Sequence, residues 1–172
     1  MTKAILREKT CCFTGHRIIA IEDIPDIKLW LEKTIVELYL SREVRFFGSG
    51  GAIGYDILAA EAVLRVSSNM FPEIKLILVL PCPGHDRFWN EDWKQRLAAV
   101  KERAAKIVYT SERYGENCMS KRNRHLVDHA GYCVAYIKKK SGGTAFTVSY
   151  AMEKGLTIVK YPEPIRVIEF RK

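Results

Sequence analysis

An α/β fold is predicted for this chain: a single Rossmann-like domain with a mainly parallel sheet of about six or seven strands and helices on both faces. Three observations predict it. Short apolar runs rich in β-branched residues recur, each followed by Gly, Pro or polar turn residues and then by a segment of helical period, which is the signature of βαβ units. No linker, low-complexity tract or internal repeat interrupts the alternation. The 172 residues are 48 % hydrophobic, enough to bury one core without metals or disulfides.

In chain order, the apolar runs place strands near Thr10–Thr14, Val44–Phe47, Lys75–Leu80, Lys106–Thr110, Tyr132–Ile137 and Thr157–Tyr161, with room for a short seventh at Ile165–Phe170. Between the first two, Ile27, Trp30, Leu31, Ile35, Leu38 and Tyr39 follow the i, i+3/i+4 rule of an amphipathic helix. The segment Asp56 to Val66 is apolar nearly all round, which suits a helix packed deep against a sheet. Trp89, Trp93, Leu97 and Val100 form another core-facing stripe, and Met119, Leu126 and Ala130 another. Parallel strands need crossover connections, and the crossover helices must cover the sheet. The expected strand order is 3-2-1-4-5-6, with the glycine turns after Phe47 and Ile137 opening onto one common cleft outside the carboxyl ends of the strands.

Composition narrows the function. The formal charge is +8, with basic residues scattered along the chain. That favours anionic partners without choosing between a small phosphate ligand and nucleic acid. Met1 to Thr10 lacks the apolar run of a secretory signal, and no stretch approaches the roughly 20 residues of a membrane span. The expectation is a cytoplasmic protein with no membrane partner. Cys11, Cys12, Cys82, Cys118 and Cys133 form an odd set without CxxC spacing, read as reduced and mostly buried thiols. His125 and His129 are spaced i, i+4 but lack a third ligand, so neither a metal nor a cofactor is expected.

The strand-end loops carry the chemistry. Gly48-Ser49-Gly50-Gly51-Ala52-Ile53-Gly54-Tyr55-Asp56 follows a strand and opens an apolar helix. Glycines let backbone approach a ligand closely, and the following helix N-terminus favours phosphate. A side chain at Gly51 would fill the space a phosphate needs; the alternative is a turn that only seats a buried helix. Gly142, Gly143 and Thr144, after Lys138 to Lys140, make a second such turn. Gly15, His16 and Arg17 end the first strand at the same sheet edge, and His85 is a weaker candidate after the third. Arg122 and Asn123 share the inward stripe of Met119 and Leu126, where burial demands partners. They serve either an internal salt bridge and cap or a fork for phosphate or ribose. Asp56 either joins the site or complements its helix N-terminus.

Cys12 to Arg17, Gly50 to Asp56, Arg122-Asn123-Arg124 and Gly142-Gly143-Thr144, in that order, resemble the SLOG superfamily, and most closely its small YpsA-like branch. The resemblance spans nearly the whole chain. It implies a Rossmann-like pocket for nucleotides, their derivatives or nucleic acid, as in the DprA and LOG relatives, and a homodimer. Met119 to Arg122 is similar to the Met-x-x-Arg of LOG phosphoribohydrolases, in which the arginine is catalytic. Those enzymes also carry a glutamate just after the second glycine turn, where this chain has Ala145, Phe146 and Thr147. The missing acid leaves Asp56 and Glu61 as its substitutes. The expectation is therefore binding or sensing of a nucleotide-derived ligand, ahead of N-glycosidic cleavage of a nucleoside monophosphate. DprA-like binding of single-stranded DNA is third, because no row of exposed aromatics is evident.

Overall fold

The structure, a computed structural model, describes residues 1–164. Its six strands are β1 (Thr10–Gly15), β2 (Phe46–Ser49), β3 (Lys75–Leu80), β4 (Lys106–Tyr109), β5 (Tyr132–Tyr136) and β6 (Thr157–Lys160). All pairings are parallel. The helices are α1 (Lys3–Glu8), α2 (Ile24–Arg42), α3 (Tyr55–Asn69), α4 (Glu91–Arg103), α5 (Cys118–Asp128) and α6 (Gly143–Glu153). The α/β expectation holds with six strands; the seventh, at Ile165–Phe170, lies outside the described residues.

The strand order is β4-β3-β2-β1-β5-β6, which corrects the expected 3-2-1-4-5-6. The chain winds outward one unit longer than expected. After β3, α4 returns on the same face as α2 and α3, so β4 joins the outer edge of β3; only α5, on the opposite face, carries the chain across to the free side of β1. Amphipathic periodicity reports that a helix covers a sheet but not which face it covers.

Period-2 alternation divides the core. Cys11, Phe13, Phe47, Leu76, Leu78 and Leu80 face α2, α3 and α4, whereas Cys12, Val79, Cys133 and Ala135 face α5 and α6. The stripe Ile27, Leu31, Ile35 and Leu38 of α2 is fully buried, and α3 buries ten of its residues, as its all-round apolar sequence predicts. All five cysteines are buried free thiols. Helix α1 was not foreseen. It is tied down by Arg7, whose Nε and Nη2 donate to the carbonyls of Ala130 and Lys154 at 2.9 and 2.8 Å. No helix of the described residues is long and apolar enough to cross a membrane.

Candidate functional site

The carboxyl ends of β1 to β4 and the start of α5 enclose a cleft of about 650 Å³. Its lining includes Arg17 after β1, Gly50 and Ala52 after β2, His85, Arg87, Phe88 and Trp89 after β3, Arg113 and Tyr114 after β4, and Arg122 on α5. Arg17, Arg87 and Arg113 against the single lining carboxylate of Glu112 give the cleft an excess of positive charge, with Arg122 at its inner end.

Behind the lining, the β2–α3 loop is held by a buried charge pair. Arg122 Nη1 donates to Asp56 Oδ2 at 3.0 Å, and the same oxygen accepts from the Ala52 N–H at 3.3 Å. Burial pushes the Asp56 carboxyl up from the usual carboxylate range, and Arg122 and the Ala52 N–H pull it back. Arg122 Nε is buried with no hydrogen-bond partner. The two readings of Arg122 therefore meet in one side chain: it forms an internal salt bridge and also lines the cleft. Asp56 supplies from within the chain the anion that the helix N-terminus and arginine call for.

Each glycine has a definite neighbour. A Cβ on Gly50 would stand 1.3 Å from Arg122 Nη1, so only glycine admits the guanidinium. Gly51 has φ +61°, and its Cβ would meet Leu80 Cδ2 at 2.6 Å. Gly51 therefore faces the core, correcting the expectation that a side chain there would occupy phosphate space. Gly15 lies on the Tyr55 ring, and Gly54, at φ +85°, lies against the Arg17 carbonyl. Gly48 and Ser49 belong to β2 and not to the loop. Ser49 Oγ donates to the Asp56 carbonyl at 2.8 Å and accepts from the Gly51 N–H at 3.2 Å, so its hydroxyl serves the loop.

The second glycine turn is at the same end of the sheet but does not line this cleft. β5 pairs with β1 on the side away from β2, so Gly142 and Gly143 are exposed one strand further along. Thr144 is buried at the start of α6, and Asn123 is half-buried beside Arg122 without lining the cleft. The expectation of one cleft shared by both turns is corrected accordingly. The β1 and β5 loops are latched by His16, whose Nε2 accepts the Lys138 N–H at 2.8 Å. Burial lowers the His16 pKa, and Lys139 and Lys138 lower it further. Glu61 is engaged elsewhere, paired through both oxygens with Arg96 at 2.8 and 2.7 Å.

Sequence reasoning missed the aromatic rim. Trp89 is not on the α4 stripe: Asn90 caps that helix by accepting the Trp93 N–H at 3.1 Å, which leaves Trp89 outside, edge-on to His85. Phe88 and Tyr114 are 86 % and 66 % exposed at the mouth of the cleft. Arg87 lies 4.8 Å over the Phe88 ring. Two exposed rings thus stand at the cleft, where the sequence offers no obvious row of them. The Asn90-Glu91-Asp92 start signal was the clue available in the sequence. Burial lowers the pKa of His85, whose Nδ1 is 3.2 Å from the Cys82 carbonyl.

A parallel sheet with helices on both faces and a cationic cleft beyond the carboxyl ends of its strands defines the Rossmann-like class of α/β proteins. Comparison with known proteins places the chain within it. A family model described as the YspA SLOG family, YpsA, matches residues 12–172, and the chain belongs to this family of the SLOG superfamily. UPF0398 proteins are similar: one from Staphylococcus epidermidis is 22 % identical over 135 residues, covering 73 % of this chain and 71 % of the relative. Another, from Shouchella clausii, is 26 % identical over 128 residues, covering 71 % and 68 %. Among solved structures, DNA processing protein A (DprA) of Streptococcus pneumoniae superposes with a TM-score of 0.65 at 18 % identity, over 94 % of this chain and 53 % of that one. The chain thus spans about half the length of the pneumococcal protein. DNA processing protein A of Helicobacter pylori, which binds single-stranded DNA, gives 0.66 at 16 % identity, over 96 % of this chain and 70 % of that one. At these identities the likeness is one of fold.

Proposed function

We propose that the cleft binds a nucleotide-derived ligand, holding phosphate on Arg17, Arg87 and Arg113 and a base against Phe88, Trp89 or Tyr114. The observation that carries this reading is the coincidence of these cations with aromatic rings around one cleft of about 650 Å³, a volume suited to a small ligand. Arginine is the residue for phosphate, because its planar fork donates two parallel hydrogen bonds. The Arg122–Asp56 pair keeps the glycine loop in place and leaves the exposed arginines free to meet the ligand. Binding or sensing fits better than glycosidic cleavage: Asp56 is committed to Arg122, and Glu61 to Arg96. Calorimetric titration with a panel of nucleoside mono-, di- and triphosphates tests this reading. Affinity is expected to rise with phosphate number and to fall when Arg87 or Arg113 is replaced by Ala. No binding by any member, or binding indifferent to both substitutions, overturns it.

A second reading has its own support. Phe88 and Tyr114 stand at the mouth of the cleft rather than inside it, as a stacking platform for successive bases would. The fold likeness to the DNA-binding H. pylori protein points the same way. A short oligothymidylate that binds tightly, with steep loss of affinity on adding salt and no competition from mononucleotides, would favour single-stranded DNA.

A further inference from the structure

The two faces of the sheet are unequally covered. Six strands at about 4.8 Å spacing span roughly 24 Å, which helices packed 8–10 Å apart cover three at a time. Helices α2, α3 and α4 do this on one face, whereas the other carries only α5 and α6 among the described residues. One helix position is therefore open. It forms a groove of about 660 Å³ over β2, β3 and β4, walled by α5 and closed at its lower end by α1. The floor is apolar: Ile77, Val79, Val108 and Leu126 are the side chains that fill it. Ile77 and Val108 are only half-buried, although they sit on the inward-facing register of their strands. The charges around it are Lys3, Arg7 and Lys106 against Asp128 alone.

We propose that this groove is the docking site for an amphipathic helix of a partner protein whose apolar stripe is flanked by carboxylates. The width fits one helix, the floor requires an apolar face and the rim selects acidic flanks. A second copy of this chain is disfavoured. The chain carries a charge of +8, and the exposed apolar pair nearest the groove, Ile5 and Leu6 on α1, is bracketed by Lys3 and Arg7, so two copies would oppose cation to cation. The described chain also ends far from the groove, where Trp30 Nε1 of α2, on the opposite face, donates to the Glu163 carbonyl.

Two synthetic peptides of about 15 residues, long enough for three to four helical turns, provide the test. They share one Leu/Ile stripe and differ only in Glu or Lys flanks. Fluorescence anisotropy with the full chain is expected to give the Glu-flanked peptide an affinity at least roughly tenfold higher, a gap that narrows with added salt. Val108→Glu should abolish this binding, with folding checked by circular dichroism. The exposed double variant Lys3→Glu/Lys106→Glu, which disturbs no core residue, should reverse the preference. Equal binding of both peptides, binding of neither, or a preference unmoved by the charge reversal overturns the proposal. So does a wild-type dimer in light scattering that Val108→Glu converts to monomer, since the groove would then belong to a second copy. Binding seen only after removal of residues 165–172 would give the groove to the chain's own end and refute the partner helix.

Discussion

Replacing Arg122 with methionine, which keeps most of the side-chain volume, exposes the energetics beneath the cleft. The pair is 3.0 Å long, and its two side chains are 5 % and 8 % exposed. Without the guanidinium, Asp56 Oδ2 retains only the Ala52 N–H, and stranding one member of such a pair costs about 3–5 kcal/mol. Protonation of Asp56 limits that loss, which makes it depend on pH. Burial already raises the Asp56 pKa in the folded state, and loss of Arg122 removes the main opposing influence. A carboxyl whose folded pKa lies above its unfolded value destabilises progressively as pH rises from about 4 to the folded pKa, and fully above it. Urea unfolding of wild type, Arg122→Met, Asp56→Asn and the double variant, at about pH 5 and pH 8, measures this. The arginine variant should lose most at pH 8, and the double variant should lose less than the sum of the singles. A loss under about 1 kcal/mol, or one equal at both pH values, would refute the buried-pair reasoning.

Four further outcomes are expected. Gly50→Ala should destabilise to a similar degree and add little to Arg122→Met, because both remove the same guanidinium from the same place; additivity in unfolding experiments would contradict this. Gly51→Val should lower the melting temperature through overpacking against Leu80 and a β-branched residue at positive φ, together costing roughly 2–4 kcal/mol, and a normal melt would return Gly51 to the cleft. Phe88→Ala and Tyr114→Ala should each weaken nucleotide or oligonucleotide binding by about 1–3 kcal/mol while leaving stability unchanged, given their exposure; titration and melting together check this. The His16 latch needs a neutral imidazole, and its folded pKa is lowered, so its contribution is complete above the unfolded value near 6.5 and is lost as pH falls below it. The stability difference between wild type and His16→Ala should therefore shrink between about pH 7.5 and pH 5.

The alternation of apolar runs and helical stripes made the strands, five of the helices and the two-faced core legible, because burial of Ile27, Leu31, Ile35 and Leu38 or of Cys11 and Phe13 imposes its own period on the chain. Strand order was not legible. The stripe of α4, Leu97 and Val100, would look the same on either face of the sheet. Helix α1 was missed because six residues are too few for a period, and tertiary anchoring by Arg7 replaces propensity. At the site, Arg122 was conspicuous as a charge on an inward stripe, but its partner Asp56 lies 66 positions away and only folding joins them. Phe88 and Tyr114 sit in loops, where no periodicity distinguishes a ring aimed at a cleft from one aimed at the core.

The central place of β1 has a consequence for biosynthesis. Its first edge is met by β2 soon after it leaves the ribosome, but its second waits for β5, which pairs Tyr132 with Cys11 and Ala135 with Thr14. At roughly 5–20 residues per second, the intervening stretch of about 120 residues takes ~6–24 s to translate. During that interval the nascent chain carries one open edge on the strand of Cys11, Cys12 and Phe13, the kind of edge that recruits other chains. Truncated products ending before Tyr132 are therefore expected to be the aggregation-prone form of this protein, and the segment that begins at β5 acts as a cap for β1.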